Sequence, residues 1–216
     1  MIPTCHIEWL GSIPYQQAHA LMKERVEQRL NDNIPDTLLL CTHPPVYTVG
    51  RQKDSLKNLL NPQKTPVVHV ERGGNVTFHG PGQLVGYPIV RIPEHKRDIH
   101  AFLRFLEEFW IVQLKHWGIA ATIDERNTGV WVKGKKIVAI GISIRRWTSW
   151  HGFALNVDVD LAYYQRINPC GMSSDLVTRL CDHTKKHFEI DTEYQKIGED
   201  FFQAFNAWCQ REKKDI

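Results

Sequence analysis

A chain of 216 residues with 42% hydrophobic and 24% charged side chains has the make-up of one globular domain, and a single domain over 1–216 is expected. Twenty-seven basic against 24 acidic residues leave a net charge of only +3, with no basic run interleaved with aromatics, which argues against nucleic acid as a partner. No apolar run approaches the ~20 residues of a membrane span, "MIPTCHIEWL" lacks a secretory leader, and five irregularly spaced cysteines make no disulfide framework, so a cytoplasmic protein without membrane attachment is expected.

In chain order, "CHIEWL" (5–10) reads as a strand. It leads to a helix from Pro14 with Tyr15, Ala18, Met22 and Val26 on one face. "TLLLC" (37–41) reads as a buried strand ended by Pro44-Pro45, followed by short strands "VYTVG" (46–50) and "PVVHV" (66–70) around a polar excursion. The stretch "RGGNVTFHGPGQ" (72–83) precedes another buried strand, "LVGYPIVRI" (84–92). Asp98 suits the N-cap of a helix that turns Ile99, Phe102, Leu103, Leu106, Phe109, Trp110 and Leu114 inward and closes at Gly118. "GVWV" and "KIVAIGISI" form a hairpin around Lys133-Gly134-Lys135, and "HGFALNVDV" supplies a third run. A short helix, "LAYYQRI", leads into "NPCGM", and a last helix over roughly 192–210 buries Tyr194, Ile197, Phe201, Phe205 and Trp208. Clustered strands with helices between and after them predict an α+β fold with a mixed or largely antiparallel sheet.

Three stretches carry chemistry. In 72–83, a strand over 75–79 puts Asn75, Thr77 and His79 on one face and sends Val76 and Phe78 into the core. No Gly-Lys-Ser/Thr follows, and a strand rather than a helix comes next, so neither a P-loop nor a dinucleotide fingerprint fits. A hairpin with glycine turns explains the glycines but not Arg72, Thr77 and His79, and the choice between hairpin and ligand site stays open. In "INPCGM", Cys170 lies between proline and glycine on a sharp turn that can present its thiol, whereas Cys5, Cys41 and Cys209 read as inert small hydrophobes. Only a few per cent of an ordinary thiol is thiolate at pH 7, so a nucleophilic Cys170 needs a base or a cation nearby.

The third stretch is "GKKIVAIGISI". Strand alternation places Lys136 with Val138, Ile140, Ile142 and Ile144, where partial desolvation makes an amine a candidate base. A strand-end lysine reaching to water is the plainer reading by residue type. Ala139 and Gly141 fall on the opposite face, where a ligand can lie on backbone, and His151 in "HGFALN" reads as a cap of its strand. Among eleven histidines, the tight pairs Cys41-Thr42-His43 and Cys181-Asp182-His183 lack zinc-ligand spacing, so no metal is expected.

Taken in order, "RGGNVTFHGPGQLVGYPI", "GKKIVAIGI", "HGFALN" and "INPCGM" resemble the lipoyl(octanoyl) transferases over about Thr42 to Thr178. The resemblance implies a biotin/lipoyl protein ligase-like α+β fold with a larger mixed sheet, a smaller sheet and flanking helices. It implies Cys170 as acyl-accepting nucleophile and Lys136 as the lysine that activates it, as a base or as a fixed charge. It also implies acyl-substrate binding by Arg72, Gly73, Gly74, Asn75, Val76, Thr77, Phe78 and His79, by Ala139, Ile140 and Gly141, and by Gly152, Phe153 and Ala154. The amides of Gly171 and Met172, beside the nucleophile, are the candidates for oxyanion donors.

The implied donor is octanoyl-acyl carrier protein. The implied acceptors are apo lipoyl domains of 2-oxoacid dehydrogenase E2 subunits and the glycine cleavage H protein, with no cofactor. An ATP-dependent lipoate or biotin ligase of the same fold is the alternative. Pro-Cys-Gly, and His-Gly-Pro-Gly-Gln where such ligases typically read His-Asp-x-Gly-Asn, argue against it. An octanoyl amidotransferase between lipoyl-domain proteins and a non-catalytic lipoyl-domain binding module are the other readings.

Overall fold

The computed structural model describes residues 5–211, apart from the side chain of Cys170, which lies outside the described part. β1 (His6–Ser12) pairs parallel with β2 (Thr37–Thr42) across the intervening α1 (Tyr15–Leu30). β3 (Val46–Val49), β4 (Val67–His69) and β5 (Val76–His79) form a three-stranded sheet in the order β4-β3-β5. β6 (Gln83–Ile89) returns to β2, and α2 (Ile99–His116) follows. β7 (Gly129–Val132), β8 (Lys135–Arg145) and β9 (Thr148–Asn156) complete a six-stranded sheet of order β1-β2-β6-β9-β8-β7. Every neighbour in the large sheet is antiparallel except β1 with β2, and α3 (Ile190–Gln210) ends the fold. A larger mixed sheet, a smaller sheet and flanking helices match the expected architecture.

The sequence pattern explains the layering. β2 is buried on both faces, so it reads as a continuous apolar run. Leu38 and Leu40 enter the core under α2 and α3, while Leu39 and Cys41 meet Ala18, Met22 and Val26 of α1. Tyr15, Ala18, Met22 and Val26 are the buried stripe of α1, as the helical spacing predicts. Asp98 caps α2 by accepting from the His100 and Ala101 amides at 2.8 and 3.2 Å. Ile99 departs from expectation: it stands in the first turn of α2, 46% exposed, rather than inward. The short helix expected at "LAYYQRI" is a 3₁₀ turn, Leu161–Arg166, and the sharp turn expected at "NPCGM" is a second, Pro169–Gly171. Among the described residues no helix is long and apolar enough to cross a membrane.

Two glycines show different requirements. Gly134 sits at φ +76 in the β7–β8 turn, where an added Cβ meets nothing within 4 Å. Gly152 lies where β9 crosses β6, and a Cβ there would stand 2.2 Å from the Gly86 carbonyl oxygen and 2.5 Å from Pro88 Cδ. Backbone cannot move aside as a side chain can. Gly152→Ala is expected to cost about 2–3 kcal/mol through overpacking, and Gly134→Ala only ~1 kcal/mol through left-handed strain. Urea unfolding of both variants checks this, and equal losses would contradict the close crossing.

Candidate active site

A cavity of about 460 Å³ opens between the segment before and along β5 and the middle of β8 and β9. That size lies within the usual range for small-molecule sites. The segment is fastened to the large sheet by the Gly73 amide, which donates to the Ile142 carbonyl at 2.9 Å. Gly141 makes room for it: a Cβ there would lie 3.2 Å from Arg72 Cδ and 3.3 Å from the Gly73 oxygen. Arg72 is 8% exposed and donates from Nη2 to both the Thr48 carbonyl and Oγ1, and from Nη1 to the Gly73 carbonyl, each at 2.9 Å.

The residues expected to bind substrate meet at this cavity, namely 72–77, His79, Ala139, Ile140, Gly141 and 152–154. Phe78 does not. It points to the opposite side, into the small-sheet core, where its ring stacks on Tyr163 with centroids 4.4 Å apart. Alternation along β5 turns Phe78 inward, so its side chain belongs to the small-sheet core.

Lys136 reaches the cavity by a route that simple alternation misses. Val130 pairs with Val138 but Trp131 with Lys136, so Ile137 is an extra residue, a β-bulge. Ile137 and Val138 consequently both enter the α2–α3 core, and Lys136 turns to the side of Ala139 instead of sharing the face of Val138. Lys136 is 7% exposed. Its ammonium donates to Asn127 Oδ1 and, at 2.8 Å, to the Thr128 carbonyl, and lies 5.0 Å from the centroid of the Trp131 ring. Both oxygens and the ring face attract a cation.

Lys136 also borders a second, small cavity, with Thr77, Pro169 and Met172. The chain after that turn is tied to it, the Thr178 amide donating to the Lys136 carbonyl at 3.0 Å. The turn Pro169–Gly171, which carries Cys170, therefore packs beside Lys136 and β5; the Cys170 thiol itself lies outside the described atoms. The amides of Gly171 and Met172 donate within the turn, to the Asn168 and Pro169 carbonyls at 3.0 Å each. Both amides thus help to hold the turn.

The motif ends interlock. Gln83 accepts from His79 Nδ1 at 3.2 Å, and its amide nitrogen donates to Asn156 Oδ1 and Tyr164 Oη at 2.8 Å. Asn156 in turn donates to the Thr178 carbonyl at 3.0 Å. The "HGPGQ" glutamine and the "HGFALN" asparagine thus set the position of His79 and of the chain behind the Cys170 turn. Cys41, whose Sγ lies 3.5 Å from His43 Nε2, is fully buried, and desolvation pushes its thiol well up, as an inert core thiol requires.

Sequence reasoning missed Asn127 and Thr128, which sit in a polar loop with no periodic signal. It also missed Ile99 and Leu103, which line the cavity from α2 although they read as core.

The histidines here are neutral. His43 is lowered to about 4 by burial, although its bond to the Ile13 carbonyl opposes this. His151 is lowered to about 3 by burial, then by Arg72 and His19. His79 is lowered well below its usual value by burial, His43 and Arg72. An unfolded histidine titrates near 6.5, so below that pH the unfolded chain binds protons that the native state refuses. Stability is therefore complete above about pH 6.5 and falls as pH drops toward 4. Between pH 7 and 5.5 His43 and His79 together are expected to remove roughly 1–3 kcal/mol. Urea unfolding across that interval measures it, and a flat profile would mean that these histidines take up protons while folded.

Comparison with known proteins places this geometry. Residues 14–202 match the lipoyl protein ligase A/B catalytic domain. The octanoyltransferase of Synechococcus sp. (strain JA-2-3B'a(2-13)) is 43% identical, covering 97% of this chain and 86% of that protein. A crystal structure of lipoate-protein ligase A bound with ATP superposes with a TM-score of 0.70 at 15% identity, covering 98% of this chain and 87% of that one. Biotin protein ligase from Aquifex aeolicus does so with a TM-score of 0.55 at 14% identity, covering 98% and 73%. The fold is thus the biotin/lipoyl protein ligase one. Within it, the chain belongs to the lipoyl(octanoyl) transferase family.

Proposed function

We propose that this chain takes an octanoyl group from octanoyl-acyl carrier protein onto Cys170 and passes it to the ε-amine of a specific lysine on apo lipoyl domains, those of 2-oxoacid dehydrogenase E2 subunits and the glycine cleavage H protein. The observation that carries the reading is the position of Lys136. This buried cation borders both the substrate-sized cavity and the turn that bears Cys170.

In the resting state Lys136 is an ammonium that stabilises the Cys170 thiolate. The thiolate attacks the octanoyl thioester, and the new carbon–sulfur bond forms as the donor's breaks. The departing carrier thiolate takes a proton from Lys136, leaving acyl-Cys170 and a neutral amine. One thioester replaces another, so the step needs no ATP. The acceptor lysine arrives protonated, with a usual pKa near 10.4. Lys136 accepts one of its protons and solvent the other as the amide forms, which restores thiolate and ammonium. Amide formation from a thioester is downhill and drives the cycle.

Intact-mass measurement tests the overall reading. Octanoyl-carrier protein alone should add one octanoyl group to the enzyme, absent in Cys170→Ala, while octanoate with ATP should add none. Octanoyl-lysine formed by Cys170→Ala at a near-native rate would rule out the covalent route. An adduct only with octanoate and ATP would favour the ligase alternative.

Lys136 variants separate charge from proton transfer. Lys136→Met should lose both Cys170 reactivity at pH 7 and transfer. Lys136→Arg keeps a cation but cannot exchange a proton at usable pH. It should retain iodoacetamide alkylation of Cys170 at low pH while transfer falls by roughly 10²–10⁴. Full transfer in the arginine variant would remove the proton-shuttling role. An alkylation profile unchanged in the methionine variant would remove the electrostatic one.

A further inference from the structure

Beside the cavity, and outside the residues given a part in acyl transfer, three metal-ligating side chains converge from three elements. They are His19 on α1, Glu71 in the β4–β5 connection and His151 on β9. His19 Nε2 lies 2.7 Å and His151 Nε2 3.9 Å from the same oxygen, Glu71 Oε2. All three ligand atoms fall within 4.8 Å of one another. Such separations bracket the ~3.4 Å edge of a tetrahedron with bonds of about 2.1 Å, the geometry of zinc with nitrogen and oxygen ligands.

Two features of His151 set it apart from an ordinary packed histidine. It is 1% exposed, and its Nε2 has no hydrogen-bond partner among the described residues. Native structures rarely leave a buried polar atom in that condition. Its backbone also holds φ +55 within β9, the left-handed region that a side-chain-bearing residue seldom adopts in a strand. Both costs fall on the residue whose unpartnered nitrogen faces a carboxylate and a second imidazole. Coordination of a cation accounts for all of this together.

The surroundings fit. Tyr15 Oη lies 3.5 Å from His151 Nδ1, and the Trp150 ring stacks on both His151 and His19, at 4.4 and 6.0 Å, which orients the imidazoles. Lys23 engages Glu71 Oε1 at 2.8 Å, the oxygen turned away from the histidines' contact, as outer partners of ligating carboxylates do. His19 and Glu71 are partly exposed, which gives a cation a path in.

We infer that His19, Glu71 and His151 form a binding site for a zinc-class divalent cation, with a water completing the fourth position. Its role is positional. It clamps α1, the β4–β5 connection and β9 together, and so holds Arg72, the residue after Glu71, against the floor of the cavity. Neither tight Cys/His pair in the sequence contributes to it.

The test uses the full chain, stripped with a chelator and titrated calorimetrically with Zn²⁺, with Co²⁺ as an optical probe. Wild type should bind one equivalent of Zn²⁺, and its thermal midpoint should rise when zinc is added. The Co²⁺ form should show visible bands of a four-coordinate nitrogen–oxygen site, without the near-ultraviolet absorption of a thiolate-bound metal. His19→Ala and Glu71→Gln alter partly exposed side chains, and circular dichroism verifies their fold. Each should weaken zinc binding at least ~100-fold and abolish the rise in midpoint. No stoichiometric binding by wild type, unchanged affinity in both folded variants, or thiolate absorption with Co²⁺ would each overturn the site. None of these readouts depends on octanoyl transfer.

Discussion

One backbone hydrogen bond, from the Gly73 amide to the Ile142 carbonyl at 2.9 Å, fastens the connection between β4 and β5 to the large sheet. The cavity exists because this contact forms at one end of a polar strip and the main chain diverges along the rest. The contact demands that Gly141 carry no side chain, since Arg72 and the Gly73 carbonyl occupy the space a Cβ would need. It also demands a stiff connection behind it, which Arg72 supplies by reaching to Thr48 on β3. The glycines of the first motif therefore serve proximity between sheets as much as turning. Their arginine is a structural rivet whose charge is left at the cavity wall.

The same charge orders the electrostatics. Arg72 appears among the causes that depress His79 and His151, and burial supplies the larger share. A cationic group fixed by backbone acceptors cannot give up its proton, so the neighbouring histidines carry the adjustment and stay neutral. The cavity thus combines three cations, Arg72, Arg126 and Lys136, and one carboxylate, Glu125, with neutral rings and apolar strand residues.

How much could be read from the chain depended on the range of the interaction responsible. The stripe on α1, the Asp98 cap, the Lys133-Gly134 turn and the doubly buried β2 are set within a few residues, and all follow from spacing. Lys136 was found as a residue but given the wrong neighbours, because one bulge at Ile137 reverses the alternation and leaves no local mark. Phe78 shows the opposite case. Period-2 reasoning sends it inward, and the structure agrees. Ile99 reads as core by helical spacing, yet the first turn of α2 overhangs the cavity rim rather than the sheet. His19, Glu71 and His151 meet only after α1, a loop and β9 are assembled, so spacing rules for metal ligands had nothing to detect.

Likeness to ligases at 14–15% identity shows how separable fold and chemistry are here. The framework asks only for two sheets held at a fixed offset, and many sequences satisfy that. In this chain the short motifs are wired together across the junction. Gln83 links His79 to Asn156, Asn156 holds the Thr178 carbonyl, and the Thr178 amide returns to the Lys136 backbone. This circuit runs from the cavity wall, behind the Pro169–Gly171 turn, to the buried cation. A substitution at Gln83 or Asn156 would leave two or more buried polar groups unpaired at once, so these amides constrain the relative placement of lysine and turn more strongly than local turn geometry can. Positioning in this site is therefore a property of the whole circuit, and it is the reason that distant motifs of the chain act as one unit.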